Sequence, residues 1–221
     1  MATQAMFRIW RGDSAGGQFQ DFVTPVDEGM VVLDAVHRIQ AQQAPDLAVR
    51  WNCKAGKCGS CSAEVNGRPR LTCKTRMDAL PMDKPITVYP MKAFPVIKDL
   101  VTDVSWNYRV NKKIPPFEPR PGTDWKMDQE DVDRVQEFRK CIECFLCQNV
   151  CHVLREHREM QLFGGPRFSY GLPRSKCILS TRSLARACSK MSSASAFATS
   201  PSAARKCVRR RSISRTMRSS R

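Results

Sequence analysis

Apolar and aromatic residues dominate "MFRIW" (6–10) and recur through "FQDFVTPV" (19–26). This predicts two strands, with Gly16-Gly17 as the turn between them. The period then changes. In "MVVLDAVHRIQAQ", Val31, Val32, Leu33, Ala35, Val36 and Ile39 recur at helical spacing with the polar residues on the opposite face. "LAVRW" (47–51) reads as a strand. "SAEV" and "RPRLTC" flank Asn66-Gly67, a strong hairpin-turn signal, and "PITVYPM" (85–91) reads as the strand that closes the sheet. Residues 1–105 are therefore expected to form an α+β domain. "VNKKIPPFEPRPGTDW" (110–125) reads as a linker or surface loop. "MDQEDVDRVQEFRKCIECFLCQNVCHVLREH" then reads as helix, cysteine-rich turn and helix, with Asp128 as N-cap, so residues 106–168 are expected to be all-helical. From Ser169 onward neither period persists.

Charge changes this picture in one place. The net charge of +16 suggests nucleic acid, but residues 169–221 hold 13 Lys or Arg and no Asp or Glu. That leaves 24 basic against 21 acidic residues over 1–168. Fourteen of the last 53 residues are Ser, the composition of a disordered tail. No apolar run of about eighteen residues is present to span a bilayer, and the N-terminus lacks a secretory h-region. The expectation is a cytosolic protein with reduced thiols, in which eleven cysteines argue for metal ligands before disulfides.

The cysteines fall into two sets. Cys53, Cys58 and Cys61 have the spacing C-x4-C-x2-C, and Cys73 follows after eleven residues. A [2Fe–2S] cluster needs four converging thiolates, and this is the plant-type spacing. Gly56 and Gly59 permit the positive φ angles of a tight loop, which turns its N–H groups toward the cluster. The alternative is zinc, but zinc ribbons use two C-x2-C pairs and only one is present. Unligated core thiols are a third reading. Cys141, Cys144, Cys147 and Cys151 have the spacing C-x2-C-x2-C-x3-C, the bacterial-ferredoxin run, which implies two clusters and further cysteines elsewhere. His152 stands where that run usually has Pro. Ile142, Phe145, Leu146 and Val150 fit an ordinary helical core, which leaves the four thiols unexplained. Among the histidines, His37 reads as structural and His157 as a solvated helix residue, while His152 abuts Cys151, where it is placed to tune a neighbouring cluster. Lys54 and Lys57 flank the first set, either as solvated charges or as groups that raise its potential or meet a partner. No Ser/His/Asp constellation or phosphate loop occurs.

Taken together, "VRWNCKAGKCGSCSAEVNGRPRLTC", "PVIKDLVTD", "QEFRKCIECFLCQNVCHV" and "GPRF" resemble the iron–sulfur subunit of succinate dehydrogenase and fumarate reductase over about residues 5–168. The resemblance implies a β-grasp 2Fe-2S ferredoxin-like domain followed by an all-α helical ferredoxin domain. It implies a [2Fe–2S] cluster on Cys53, Cys58, Cys61 and Cys73, a [4Fe–4S] cluster on Cys141, Cys144 and Cys147, and a [3Fe–4S] cluster with Cys151 as one ligand. It further implies electron relay between an FAD flavoprotein subunit and quinone in membrane anchor subunits. The protein would then sit peripherally on the cytoplasmic side of the cell membrane, with no nucleic-acid partner. Which direction the reaction runs, and with which quinone, is left open. A soluble ferredoxin-like carrier for another flavoenzyme is the alternative, and a zinc-binding nucleic-acid protein a more distant one.

Two family features are missing: a Trp shortly after the Cys151 position and a downstream C-x5-C-x3-C-P. Cys177, Cys188 and Cys207 do not have that spacing. A one-base shift of reading frame permits CNITKCCTEVCPE across Phe197–Arg210, which restores the pattern. The same shift turns Ser175–Arg182 into EMHPLDT and Ser214–Arg221 into TDNAIIP. The sequence thus predicts a one-base deletion or a sequencing error near codon 168, an out-of-frame tail over 169–221, and a chain that cannot hold the second and third clusters properly. A genuine Arg/Ser-rich tail for RNA or an acidic partner is the alternative. Tyr170 and Phe197 are its only aromatics, few for base stacking.

Overall fold

The computed structural model describes residues 3–114, 129, 133, 136, 140–157, 160 and 163–169. The chain divides into two compact units, Met1–Tyr108 with Cys141–Arg158, and Arg109–Lys140 with Glu159–Arg221. The second cysteine run thus belongs to the same unit as the first.

The first unit is built on a long hairpin. Strands β1 (Thr3–Asp13) and β2 (Gly16–Val26) pair antiparallel from Thr3↔Val26 to Asp13↔Gly16. Both outrun the short strands predicted from the pattern. The turn lies at Ser14 and Ala15, where the Asp13 carboxylate accepts the Ala15 N–H at 2.7 Å, and not at Gly16-Gly17. Gly17 is instead a strand residue, opposite Gly12, whose missing side chain clears its neighbours. A Cβ there would lie 2.3 Å from the Arg11 carbonyl oxygen and 2.6 Å from the Trp10 ring.

Helix α1 (Val32–Gln42) follows, and its buried residues Val32, Leu33, Ala35, Val36 and Ile39 are those picked out by periodicity. No polar side chain caps it. The Asp34 carboxylate accepts the Val31 N–H, and the Val32 N–H donates to the Thr75 carbonyl, which ties the helix start to the turn carrying Cys73. Strands β3 (Ser62–Val65) and β4 (Arg68–Leu71) form the predicted hairpin, with Asn66 and Gly67 at φ of 49° and 69°. Strand β5 (Ile86–Tyr89) does not close the sheet. It lies inside it, parallel to β1 and antiparallel to β3, with Ile86 and Val88 fully buried. The order is β4-β3-β5-β1, continued by two short strands that the pattern did not reveal, β6 (Val96–Lys98) and β7 (Val101–Thr102), while β2 pairs on β1. Phe7, Ile9, Val65, Ile86 and Val88 form one apolar core with Val36 and Ile39 of α1. This is the sheet-rich ferredoxin-type fold expected for residues 1–105.

"LAVRW" is not a strand. Its backbone groups are committed elsewhere: the Ala48 N–H donates to the Asp99 carboxylate at 2.8 Å, and the Leu47 carbonyl accepts from Gln40 Nε2 at 2.7 Å. No ladder can form from groups already satisfied this way.

Helix α2 (Ser105–Asn111) ends the sheet-bearing segment. Two further single-turn helices, α3 (Leu146–Asn149) and α4 (His152–Arg155), complete the first unit. In the second unit, Phe168 lies over Gly164, where a Cβ would come within 2.8 Å of the ring. Of the expected loop over 110–125, residues beyond Ile114 lie outside the described residues. The helix expected from Asp128 is described only at positions 129, 133 and 136, which are helical, and the expected tail only at Ser169. Among the described residues no helix is long and apolar enough to cross a membrane.

Candidate metal centre

The loop from Cys53 to Cys61 is shaped by three left-handed residues, Lys54, Gly56 and Gly59, at φ of 50°, 67° and 72°. This turns successive N–H groups inward. Those of Ala55 and Lys57 point at the Cys53 sulfur at 3.4 and 3.3 Å. Cys73 arrives on a 3₁₀ turn (Thr72–Lys74) directly after β4. That turn is fastened to the loop, since the Thr72 N–H and hydroxyl both donate to the Cys61 carbonyl at 3.0 Å.

The four thiols lie close enough to act on one another, Cys58 on Cys53, and both Cys61 and Cys53 on Cys73. They differ in environment. Cys53 and Cys58 are half-buried, whereas Cys61 and Cys73 are 6% and 5% exposed and sit in a small apolar cluster with Leu33 and Leu71. The Ala55 and Lys57 N–H groups, then the Cys58 thiol, pull the Cys53 thiol down to about 6. Burial, then the adjacent Cys61, pushes Cys73 up to about 11. Once stripped of iron, the chain is therefore expected to react with iodoacetamide at Cys53 above about pH 6, while Cys73 remains a largely unreactive thiol at pH 7. Mass spectrometry of the alkylated peptides measures this, and equal rates at the two positions would refute it.

A [2Fe–2S] cluster takes two thiolates on each of its two irons, and the loop with its neighbouring 3₁₀ turn presents four. The single C-x2-C pair, where zinc ribbons use two, favours that cluster over zinc.

The second run is backed against the first. Cys141, Cys144, Cys147 and Cys151 are all half-buried. Glu143 and Phe145 take φ of 54° and 55° on either side of Cys144, a sharply wound backbone for non-glycine residues. Phe145 packs edge-on against Tyr108, at 5.6 Å, and Phe94, at 6.3 Å. Ile142, Cys144 and Leu146 pack on the Cys61/Cys73 cluster. The structure thus brings both sets together, a neighbourhood that sequence spacing alone did not disclose.

The remaining candidates fall as follows. His37 is half-buried on α1 with its ring edge-on to Trp51 at 4.8 Å, and burial, then Lys54, lowers its pKa. Lys54 holds its ammonium over the same Trp51 ring at 5.0 Å, and Lys57 is exposed. His152 and His157 are exposed, with ring centres 6.4 Å apart. The largest omission of the sequence reading is Glu64, which lies 1% exposed in β3 and binds the second run. An acid in a four-residue strand carries no signal of such a role.

Residues 6–108 match the family described as a 2Fe-2S iron-sulfur cluster binding domain. The chain is 31% identical over 153 residues to the succinate dehydrogenase iron-sulfur subunit of Paracoccus denitrificans, covering 66% of this chain and 58% of that protein. It is 35% identical over 142 residues to the fumarate reductase iron-sulfur subunit of Mycobacterium tuberculosis, covering 61% of this chain and 57% of that one. The chain thus spans somewhat over half the length of these curated relatives. A chain of the Mycobacterium smegmatis Sdh1 complex in the apo form superimposes with a TM-score of 0.79 at 56% identity, covering 82% of this chain and 78% of that one. With cysteine spacing, fold and relatives in agreement, the chain belongs to the family of succinate dehydrogenase and fumarate reductase iron–sulfur subunits.

Proposed function

We propose that this chain relays single electrons between an FAD flavoprotein subunit and quinone held by membrane anchor subunits, as part of a succinate dehydrogenase or fumarate reductase. The observation that carries the reading is the gathering of four thiols on a wound loop and the 3₁₀ turn fastened to it, with a second cysteine run packed directly behind them. Cys53, Cys58, Cys61 and Cys73 hold a [2Fe–2S] cluster in this reading. Cys141, Cys144 and Cys147 are ligands for [4Fe–4S], and Cys151 for [3Fe–4S]. When bound, the clusters would supply one-electron sites.

The rest is the work of the polypeptide. The Ala55 and Lys57 N–H groups stabilise negative charge on the Cys53 sulfur. The apolar setting of Cys61 and Cys73 keeps water from the inner side. Chemistry on the dicarboxylate belongs to the flavoprotein. The complex sits on the cytoplasmic face of the membrane, to which this chain is attached through its partners.

The proposed organisation is a 2Fe-2S domain over 1–105, a truncated helical ferredoxin domain over 106–168, and an out-of-frame segment over 169–221. In that reading the chain lacks the C-x5-C-x3-C-P ligands, and only the first cluster assembles properly. Iron, sulfide and EPR measurements on the anaerobically purified 221-residue chain test both parts. One rhombic [2Fe–2S] signal on reduction is the expected result. Absence of inorganic sulfide overturns the electron-relay reading. Three full cluster signals overturn the frame-shift reading, which resequencing across codon 168 checks separately.

A further inference from the structure

Strand β3 is buried at all four positions, yet it alternates small or polar Ser62 and Glu64 with Ala63 and Val65. The alternation assigns its faces. Ala63 and Val65 enter the sheet core. Ser62 and Glu64 point the other way, onto residues 144–155. Ser62 Oγ lies 2.8 Å from the Cys144 carbonyl oxygen and 2.9 Å from that of Gly59, so one hydroxyl hydrogen serves both. The Glu64 carboxylate accepts from Asn149 Nδ2 at 2.9 Å and pairs with Arg155 at 3.0 Å, with Lys92 at 3.8 Å. Asn149, fully buried, accepts the Ala93 N–H through Oδ1 at 2.9 Å.

The fit beside these bonds is close. A Cβ built on Gly59 would lie 2.6 Å from Cys144 Cα and 2.8 Å from its nitrogen. The segment therefore rests backbone to backbone on the first cysteine loop, and its Ile142, Cys144 and Leu146 wall in Cys61 and Cys73.

We propose that Glu64 is a positioning residue: it latches residues 141–157 over the Cys61/Cys73 side of the first metal centre and so sets that centre's access to water and its reduction potential. The proposal rests on the reading that the first four cysteines hold [2Fe–2S]. Reduction adds one negative charge to the centre, and water stabilises the more negative state. Unlatching the segment therefore raises the potential and exposes the inner sulfurs to attack.

The test uses the purified 221-residue chain with three substitutions. Glu64→Leu removes the latch. Glu64→Gln keeps an oxygen acceptor for Asn149 and Arg155. Arg155→Ala cuts the same link from the far side, outside the sheet, and decides the matter if Glu64→Leu does not fold. Three quantities are read: chymotryptic cleavage after buried Phe145, the dithionite-titrated midpoint potential of the [2Fe–2S] signal, and the rate of visible bleaching in air. Glu64→Leu and Arg155→Ala are expected to speed cleavage and bleaching several-fold and to move the potential to less negative values, with Glu64→Gln near wild type. Faster cleavage with an unchanged potential overturns the proposal, as does an unchanged chain. A wild-type chain with no [2Fe–2S] signal overturns the cluster reading itself, a distinguishable failure.

Discussion

Cys61→Ser is expected to abolish the [2Fe–2S] signal almost completely, whereas Cys53→Ser leaves a reduced but measurable fraction. The difference follows from where each sulfur sits. Cys61 is buried with Cys73 and packed among Leu33, Leu71 and the second cysteine run, so no water or surface group can replace a lost thiolate there. A serine hydroxyl in that position is a poor ligand and a buried polar group with few partners. Cys53 is half-buried beside exposed Lys54 and Ala55, where solvent can complete the coordination. Iron and acid-labile sulfide per chain, with EPR of the reduced protein, measure both variants. Wild-type cluster content in Cys61→Ser would exclude it as a ligand.

Asp99→Ala is expected to destabilise the first unit by about 2–4 kcal/mol, because the Gly12 and Ala48 N–H donors lose their acceptor while Arg11 keeps Asp46 and Gln20. Asp99 is 2% exposed, and its carboxylate accepts from Arg11 Nε at 3.0 Å, the Gly12 N–H at 3.0 Å and the Ala48 N–H at 2.8 Å. It thereby joins the end of β1, the loop after α1 and the start of the β6–β7 turn. Its φ of 47° adds strain for alanine that asparagine tolerates. Asp99→Asn, which keeps one acceptor, is expected to lose less. Urea unfolding with a constant m-value measures the difference. A loss under 1 kcal/mol in Asp99→Ala would refute the assignment of the carboxylate as a central tie.

Local signals in the sequence were strong wherever one physical constraint acted alone. Helix α1 was legible because one apolar face meets the sheet, and the β3–β4 hairpin because Asn66 and Gly67 both need positive φ. The ligand spacing of the first loop was legible because few loops place three thiols so close. The misreadings arose where remote groups decide the outcome. "LAVRW" has strand-forming residues, but a carboxylate fifty-one positions away takes its Ala48 N–H. Gly16-Gly17 looked like a turn, but close approach of the Trp10 ring requires glycine within the strand. The docking of the second cysteine run depends on Glu64 and Asn149, eighty-five positions apart, and neither carries a local mark of the pairing.

The parallel pairing of β1 with β5 joins Phe7 to Ile86. During synthesis the C-x4-C-x2-C loop leaves the ribosome before β5 does, so the nascent chain carries exposed, reactive thiols while the centre of its sheet is still missing. Closing a loop of that length is slow compared with forming the hairpins on either side. The β1–β2 and β3–β4 hairpins are therefore expected to form first, and the β1–β5 pairing to set the rate at which the sheet closes.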